Sequence, residues 1–243
     1  MTRSGKTPTF YRSTTMHLED VIVTGHGPLT GGYCLLTVET ERVAALVQPG
    51  QFVHLLVPGM GQSVLRRPFS VYRVDDRRLS ILYKDVGQGT HTMKALREGD
   101  RLSLIGPLGK GYPEPDAGCE SVLVAGGYGM AALYLTAARS GRTGVAFFGG
   151  AATEDILCVD AFEACGWMVH VTTEDGSLGR KGLVTEALDA WLAERNADRK
   201  PEFFVCGPNA MLRAVSRRAE DADCRAWVSM DRHMACGVGA CLT

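Results

Sequence analysis

The chain has 243 residues, 45% of them hydrophobic and 22% charged, with 26 basic against 27 acidic side chains. A formal charge of -1 gives no broad attraction to phosphate backbones or acidic lipid, and only 7% of residues are aromatic, so neither nucleic acid nor a membrane is an expected partner. No apolar run approaches the roughly 20 residues that span a bilayer, and the first 16 residues lack an apolar signal-peptide core, so a cytoplasmic protein of one large or two compact domains is expected.

Residues 1–16 carry Arg3, Lys6 and Arg12 without an acid and predict a flexible polar leader. Residues 17–110 then hold short β-rich runs broken by Gly and Pro: EDVIVTG, YCLLTVET, QFVHLLVP, FSVYRV, LSILYKDV and DRLSLIG. Strands of that length and spacing predict a small antiparallel barrel. One helix is expected at THTMKALREG, closed by Gly99. Pro and Gly concentrate over residues 109–118 and mark a boundary.

Over residues 119–229 the texture changes. SVLVAGG, GVAFFGG, MVHVTTED, EFFVCGP and RAWVSM are apolar β-runs separated by helical stretches, which predicts an α/β domain built on a parallel sheet. In LVTEALDAWLAER the residues Leu183, Val184, Ala187, Leu188, Trp191 and Leu192 fall at helical spacing on one face, and Trp191 is read as core.

Three constellations carry candidate chemistry. In RRPFSVYRV, Arg67 and Ser70 can offer a guanidinium and a hydroxyl to a diphosphate while the intervening backbone lies along a flat ring, although an Arg-Pro strand edge is also a common structural feature. LYKDVGQGT follows, with Gly89 and Thr90 opening a helix whose first amides favour phosphate, and together the two devices suit a dinucleotide such as a flavin. In VLVAGGYGMAALYL, Gly126, Gly127 and Gly129 let backbone approach a pyrophosphate or make a plain βα turn, and Cys206, Gly207 and Pro208 supply a second strand-to-helix turn facing the same crevice.

The third constellation lies in residues 230–243. Cys236 and Cys241 sit in a Gly-rich stretch and are able to ligate an iron-sulfur cluster, which takes four thiolates. The spacing Cys-x4-Cys-x2-Cys puts the next ligand just past Thr243, so residues 1–243 alone are expected to hold no intact cluster and the segment from Asp231 to be loosely fixed. Cys34, Cys119, Cys158, Cys165, Cys206 and Cys224 are scattered among apolar neighbours and read as small hydrophobes. His26, His54, His91, His170 and His233 have no spaced partners, and no catalytic residue is assigned.

The order RRPFS, LYKDVGQGT, VAGGYG, TTEDGSLGRKG, CGPNAM and DRHMACGVGACLT resembles the electron transfer subunits of NAD-dependent dihydroorotate dehydrogenases, within the ferredoxin reductase superfamily, over residues 17–243. The resemblance implies an FAD-binding barrel, a nicotinamide domain and a C-terminal 2Fe-2S segment. It also implies a heterotetramer with a catalytic subunit that holds FMN and oxidises dihydroorotate, electrons passing through the cluster and FAD to NAD+ in pyrimidine biosynthesis. By that likeness Arg67, Pro68, Phe69 and Ser70 hold FAD, Leu82, Tyr83 and Lys84 lie near its ring, Gly89 and Thr90 lie at its diphosphate, Cys236 and Cys241 are the first two cluster ligands, and the Asp175-Gly176 turn lies near the nicotinamide crevice. The sequence departs from the pattern at Met130-Ala131-Ala132, where a Pro-containing stretch is usual, and in lacking the last two cluster cysteines. Two alternatives remain: the flavin subunit of a sulfur reductase, sulfite reductase or cytosolic hydrogenase, and a non-catalytic assembly subunit.

Overall fold

The computed structural model describes residues 15–60, 65–195, 198–230 and 234–241. Its first half is a closed barrel of six antiparallel strands: β1 (His17–Pro28), β2 (Tyr33–Glu39), β3 (Phe52–Leu56), β4 (Arg67–Asp75), β5 (Arg78–Lys84) and β6 (Arg101–Leu108), paired around the barrel as β1-β2-β5-β4-β3-β6. Two short helices, α1 (Val43–Leu46) and α2 (Gln88–Met93), close its ends. Helix α2 stops short of the expected Gly99: after Met93 the amides of Ala95 and Leu96 bond three residues back, and Gly99, at φ 90°, returns the chain to Val23 on β1.

The second half is a six-stranded parallel sheet. Strands β7 (Glu120–Gly126), β8 (Val145–Gly150), β9 (Met168–Thr173), β10 (Arg180–Lys181), β11 (Pro201–Cys206) and β12 (Arg225–Ser229) lie in the order β10-β9-β8-β7-β11-β12. Helices α3 (Gly129–Arg139), α4 (Val159–Ala164), α5 (Val184–Glu194) and α6 (Asn209–Asp221) connect them. Strand β10 is two residues long, too short to carry a periodic signal. On α5, Leu183 lies at the N-cap and is exposed, a correction to its expected place on the buried face, whereas Trp191 packs its ring edge-on to Phe147 at 5.7 Å between centroids.

Alternation along the barrel strands explains how the halves join. On β2, Cys34, Leu36 and Val38 point into the barrel, while Tyr33 points out. On β5 and β4, Ile81 and Val71 point in and Leu82 and Tyr72 point out. Those outward residues, on three neighbouring strands, belong to the same apolar cluster as Met130, Leu133 and Tyr134 of α3 and Leu123 and Phe204 of the sheet. A helix covered on one side would need a polar stripe. Every residue of α3 from Gly129 to Ala137 is buried, because the sheet covers one side and the barrel the other. Leu135 completes the exchange by packing into the barrel core.

Polar contacts fix the register of this junction. Arg73 donates to the Tyr134 hydroxyl at 3.0 Å, and Arg139 donates to the carbonyl of Val47 at 2.7 Å. The connecting segment is pinned from both sides: the Tyr112 amide donates to Pro49 and its hydroxyl to the Val205 carbonyl, with its ring edge-on to Phe204. Among the described residues, no helix is long and apolar enough to cross a membrane.

Because both cores share one boundary, Leu135→Ala is expected to cost about 2–5 kcal/mol and to leave unfolding a single transition. Urea titration followed by tryptophan emission, which reports the sheet through Trp167, Trp191 and Trp227, and by far-UV dichroism checks this. Separation of the two curves would contradict it.

Candidate functional site

The junction encloses a cavity of about 420 Å3. Its barrel wall comprises Arg67, Pro68, Phe69 and Ser70 on β4, Leu82, Tyr83 and Lys84 at the end of β5, and Gly89 and Thr90 on α2. Its other wall is the carboxyl edge of the sheet, where Tyr128 precedes α3, Cys206 ends β11, Ser229 ends β12, and Met230 and Met234 follow. Open parallel sheets present ligands at that edge.

The two consecutive arginines diverge. Arg66 turns away along the barrel and donates to the carbonyl and hydroxyl of Ser103 at 2.8 and 2.9 Å. Arg67 faces the cavity, donates to the Leu65 carbonyl, and lies so close to Gly89 that a methyl there would stand 3.1 Å from its Nε. Gly89 therefore has to be small for the guanidinium to lie over the start of α2. Thr90 shapes that start: its Oγ1 accepts from the amides of Val86 and Gly87 at 3.0 and 3.1 Å and donates to the Gly87 carbonyl.

Tyr83 and Lys84 line the cavity but commit their polar ends elsewhere. The Tyr83 hydroxyl bonds His26 Nε2 at 2.9 Å, and burial raises its phenol above the ordinary value, so it stays protonated. Lys84 donates to Asp155 Oδ1 at 2.8 Å across the junction, and the Tyr33 hydroxyl donates to the same oxygen at 2.9 Å. Asp155 follows β8 in the sheet half, and the hydrogen bond from Lys84, aided by Tyr33 and opposed by burial, holds its carboxyl below the usual range. This bridge has no local sequence signature, since its partners are 71 and 122 residues apart.

The glycine turns meet each other. Gly126 lies against Pro208, a methyl on Gly129 would overlap the Cys206 carbonyl, and a methyl on Gly207, at φ 154°, would stand 2.9 Å from the Gly126 amide nitrogen. Adjacent strands β7 and β11 thus end in turns packed backbone to backbone, and from these turns Tyr128 and Cys206 reach the cavity. The Asp175-Gly176 turn lies at the end of β9, where Asp175 accepts from the amide and hydroxyl of Ser177, which in turn accepts from Thr153. It does not line the cavity.

Cys236 and Cys241 lie side by side, sulfur to sulfur 3.0 Å, and the Cys241 amide donates to the Cys236 sulfur at 3.4 Å. Cys224 stands before β12, at the opposite end from the cavity-lining Ser229, and bonds the carbonyl of Ala222. The described residues therefore bring together two cysteines of the four ligands that a 2Fe-2S cluster takes, and no group of three or more metal-ligating side chains occurs among them. Residues 234–241 lie on the barrel through Met234 and Gly237 against His54. His54 is fully buried, and burial, with the charge of Arg66 adding to it, holds the imidazole below its ordinary value. Of the other histidines, His26 and His91 have polar partners and His170 stacks on Phe147, while His233 lies outside the described residues.

A closed antiparallel barrel joined to a parallel sheet around such a cavity defines the FAD- and NAD-binding reductases of the ferredoxin reductase fold. The NADH-dependent reduced ferredoxin-NADP oxidoreductase superposes with a TM-score of 0.80 at 25% identity, covering 91% of this chain and 79% of that one. The flavohem-like FAD/NAD binding domain of nitric oxide dioxygenase from Vibrio cholerae O1 biovar El Tor does so at 0.69 and 19% identity, covering 86% and 97%, a likeness of fold. No protein-family model matches the chain. It is 33% identical over 232 residues to the dihydroorotate dehydrogenase B (NAD(+)) electron transfer subunit of Bacillus cereus (strain Q1), spanning 93% of this chain and 87% of the relative. The subunit of Bacillus anthracis (strain CDC 684 / NRRL 3495) matches to the same extent. The chain belongs to the family of dihydroorotate dehydrogenase B electron transfer subunits, oxidoreductase components that act with a catalytic partner.

Two outcomes are expected from this geometry. Asp155→Asn should remove about 1–2 kcal/mol of stability near neutral pH. Because the folded carboxyl titrates below its unfolded value, that difference should be present above the unfolded value and vanish as pH falls through the folded one, which paired urea titrations of the two proteins across the acid range would reveal. Gly129→Ala should cost about 1–3 kcal/mol or more, through collision with the Cys206 backbone. A variant of unchanged melting temperature would show that the turns are not interlocked.

Proposed function

We propose that this chain passes electrons from an FMN-containing, dihydroorotate-oxidising catalytic subunit to NAD+, with FAD in the cavity, as one component of a heterotetramer serving pyrimidine biosynthesis. The observation that carries this reading is the gathering of three separated sequence segments, at residues 67–70, 82–84 and 89–90, on one wall opposite the carboxyl edge of a parallel sheet. The names of the relatives supply the substrate and the acceptor.

The residues present fit the dinucleotide. Arg67, Pro68, Phe69 and Ser70 would hold it along β4, Gly89 and Thr90 would meet its diphosphate, and Leu82, Tyr83 and Lys84 would lie beside its ring. Bound there, FAD supplies the conversion between one-electron transfer and two-electron hydride transfer. The chain's own residues orient and insulate. Phe69, Leu82, Val86, Met230 and Met234 make the walls largely apolar, and the phenol of Tyr83 stays neutral. Lys84 is held by Asp155 and is not positioned to shuttle protons. No acid or base is required of the chain for that chemistry.

On the facing wall the nicotinamide would enter over the β7 and β11 turns, which Gly126, Gly127 and Gly129 and Cys206, Gly207 and Pro208 form. Cys236 and Cys241 would supply two of the four thiolates of a 2Fe-2S cluster.

The test is reconstitution with FAD, then assay of NADH oxidation with ferricyanide; dihydroorotate-dependent NAD+ reduction with the catalytic subunit is expected only where all four cluster ligands are supplied. A chain that bound no flavin, or bound it without reacting with NADH, would sink the proposal. Within it, Arg67→Ala is expected to weaken FAD about tenfold or more, one charge-assisted bond to the diphosphate being lost. Flavin absorbance after exhaustive dialysis measures this, and full retention would remove Arg67 from the site.

A further inference from the structure

His54 lies between Val53 and Leu55, whose side chains fill the barrel core, so its imidazole projects from the outer face of the barrel. A residue on that face would ordinarily meet water, yet His54 is completely buried. Residues 234–241 provide the cover. Met234 places its sulfur 3.4 Å from Nε2, and Gly237, at φ 67°, lies on the ring so closely that a methyl there would stand 2.5 Å from Nε2 and 2.9 Å from Nδ1. Gly237 directly follows Cys236. Among the described residues Nδ1 is buried without a hydrogen-bond partner, and the ring's contacts are with the shape of what lies on it.

The other side of the ring leads to the cavity. His54 pairs with Pro68 on the adjacent strand β4 and with Ile105 on the adjacent strand β6, and Phe52 tilts against it with centroids 5.6 Å apart. Pro68, Phe52 and Met234 all line the cavity. One imidazole therefore touches the cysteine loop and the residues that form the cavity wall.

We propose that His54 is a positioning residue: it seats the Cys236–Cys241 loop on the outer barrel face and so fixes the separation between that pair of thiolates and the flavin cavity. The proposal rests on the reading of the cavity as the FAD site. Its physical content is steric: ring and glycine are complementary, and enlarging either partner or removing the ring unseats the loop.

The experiment compares His54→Ala, Gly237→Ala and the double variant in the FAD-loaded full chain with its cysteines reduced. Maleimide labelling of Cys236, quantified by peptide mass spectrometry, is expected to quicken about tenfold in each single variant as local opening of the loop becomes easier. In the double variant, labelling should be slower than in Gly237→Ala, because removing the ring makes room for the methyl. Flavin content and NADH-to-ferricyanide turnover should match the parent chain throughout. Labelling at the parent rate in Gly237→Ala, or purely additive effects in the double variant, would overturn the assignment, and Gly237→Ala, remote from the barrel core, keeps that test even if His54→Ala fails to fold. Absence of flavin from the parent chain would instead defeat the proposed function, leaving the labelling comparison to report on the seat alone.

Discussion

The structure depends on the burial of α3 between two surfaces. A helix whose residues Gly129–Ala137 are all inaccessible has no polar side to turn to water, so the sheet cannot be complete without the barrel. The barrel in turn directs Tyr33, Tyr72 and Leu82 outward into the cluster that α3 anchors. From this mutual completion follows the place of the cavity, which opens beside the junction at the ends of β5, β7, β11 and β12. The polar bridges, Arg73 to Tyr134 and Lys84 to Asp155, then set the registration of two surfaces that apolar burial has already brought together.

That order of importance also explains the chemistry. Flavin and nicotinamide reactions need their partners held in a defined relation more than they need titrating groups. A junction made of shared core holds its two walls in register, and its ionisable residues are spent on that task. Asp155 and Lys84 neutralise each other, Tyr83 is kept protonated by burial, and Arg66 is directed to β6. Among the arginines of the RRPFS stretch, only Arg67 faces the cavity.

Much of this was legible in the sequence, for reasons that are local. Alternation revealed the barrel strands, and apolar runs punctuated by glycine revealed the parallel sheet, because both patterns repeat within a few residues. The cavity wall was legible because its residues form short contiguous stretches. What escaped involves partners distant in the chain. His54 read as a solitary histidine, since Met234 lies 180 residues away. Lys84 read as a ring neighbour, with no sign of Asp155. The glycines of the first βα turn read as room for a ligand or as a plain turn, with no sign that Gly126 and Gly129 also lie against the neighbouring turn. Leu183 fitted the helical period, but one position before the helix begins the period no longer determines which way a side chain points.

The interlocked turns carry a consequence for how such a chain can change over time. Gly129 meets the backbone of Cys206, and Gly207 meets the backbone of Gly126, so neither turn can be remodelled while the other is kept. A lineage that altered its acceptor preference by reshaping one of these turns would have to reshape its neighbour in the same step or pass through a weakened intermediate. The two central turns should therefore be inherited as a pair.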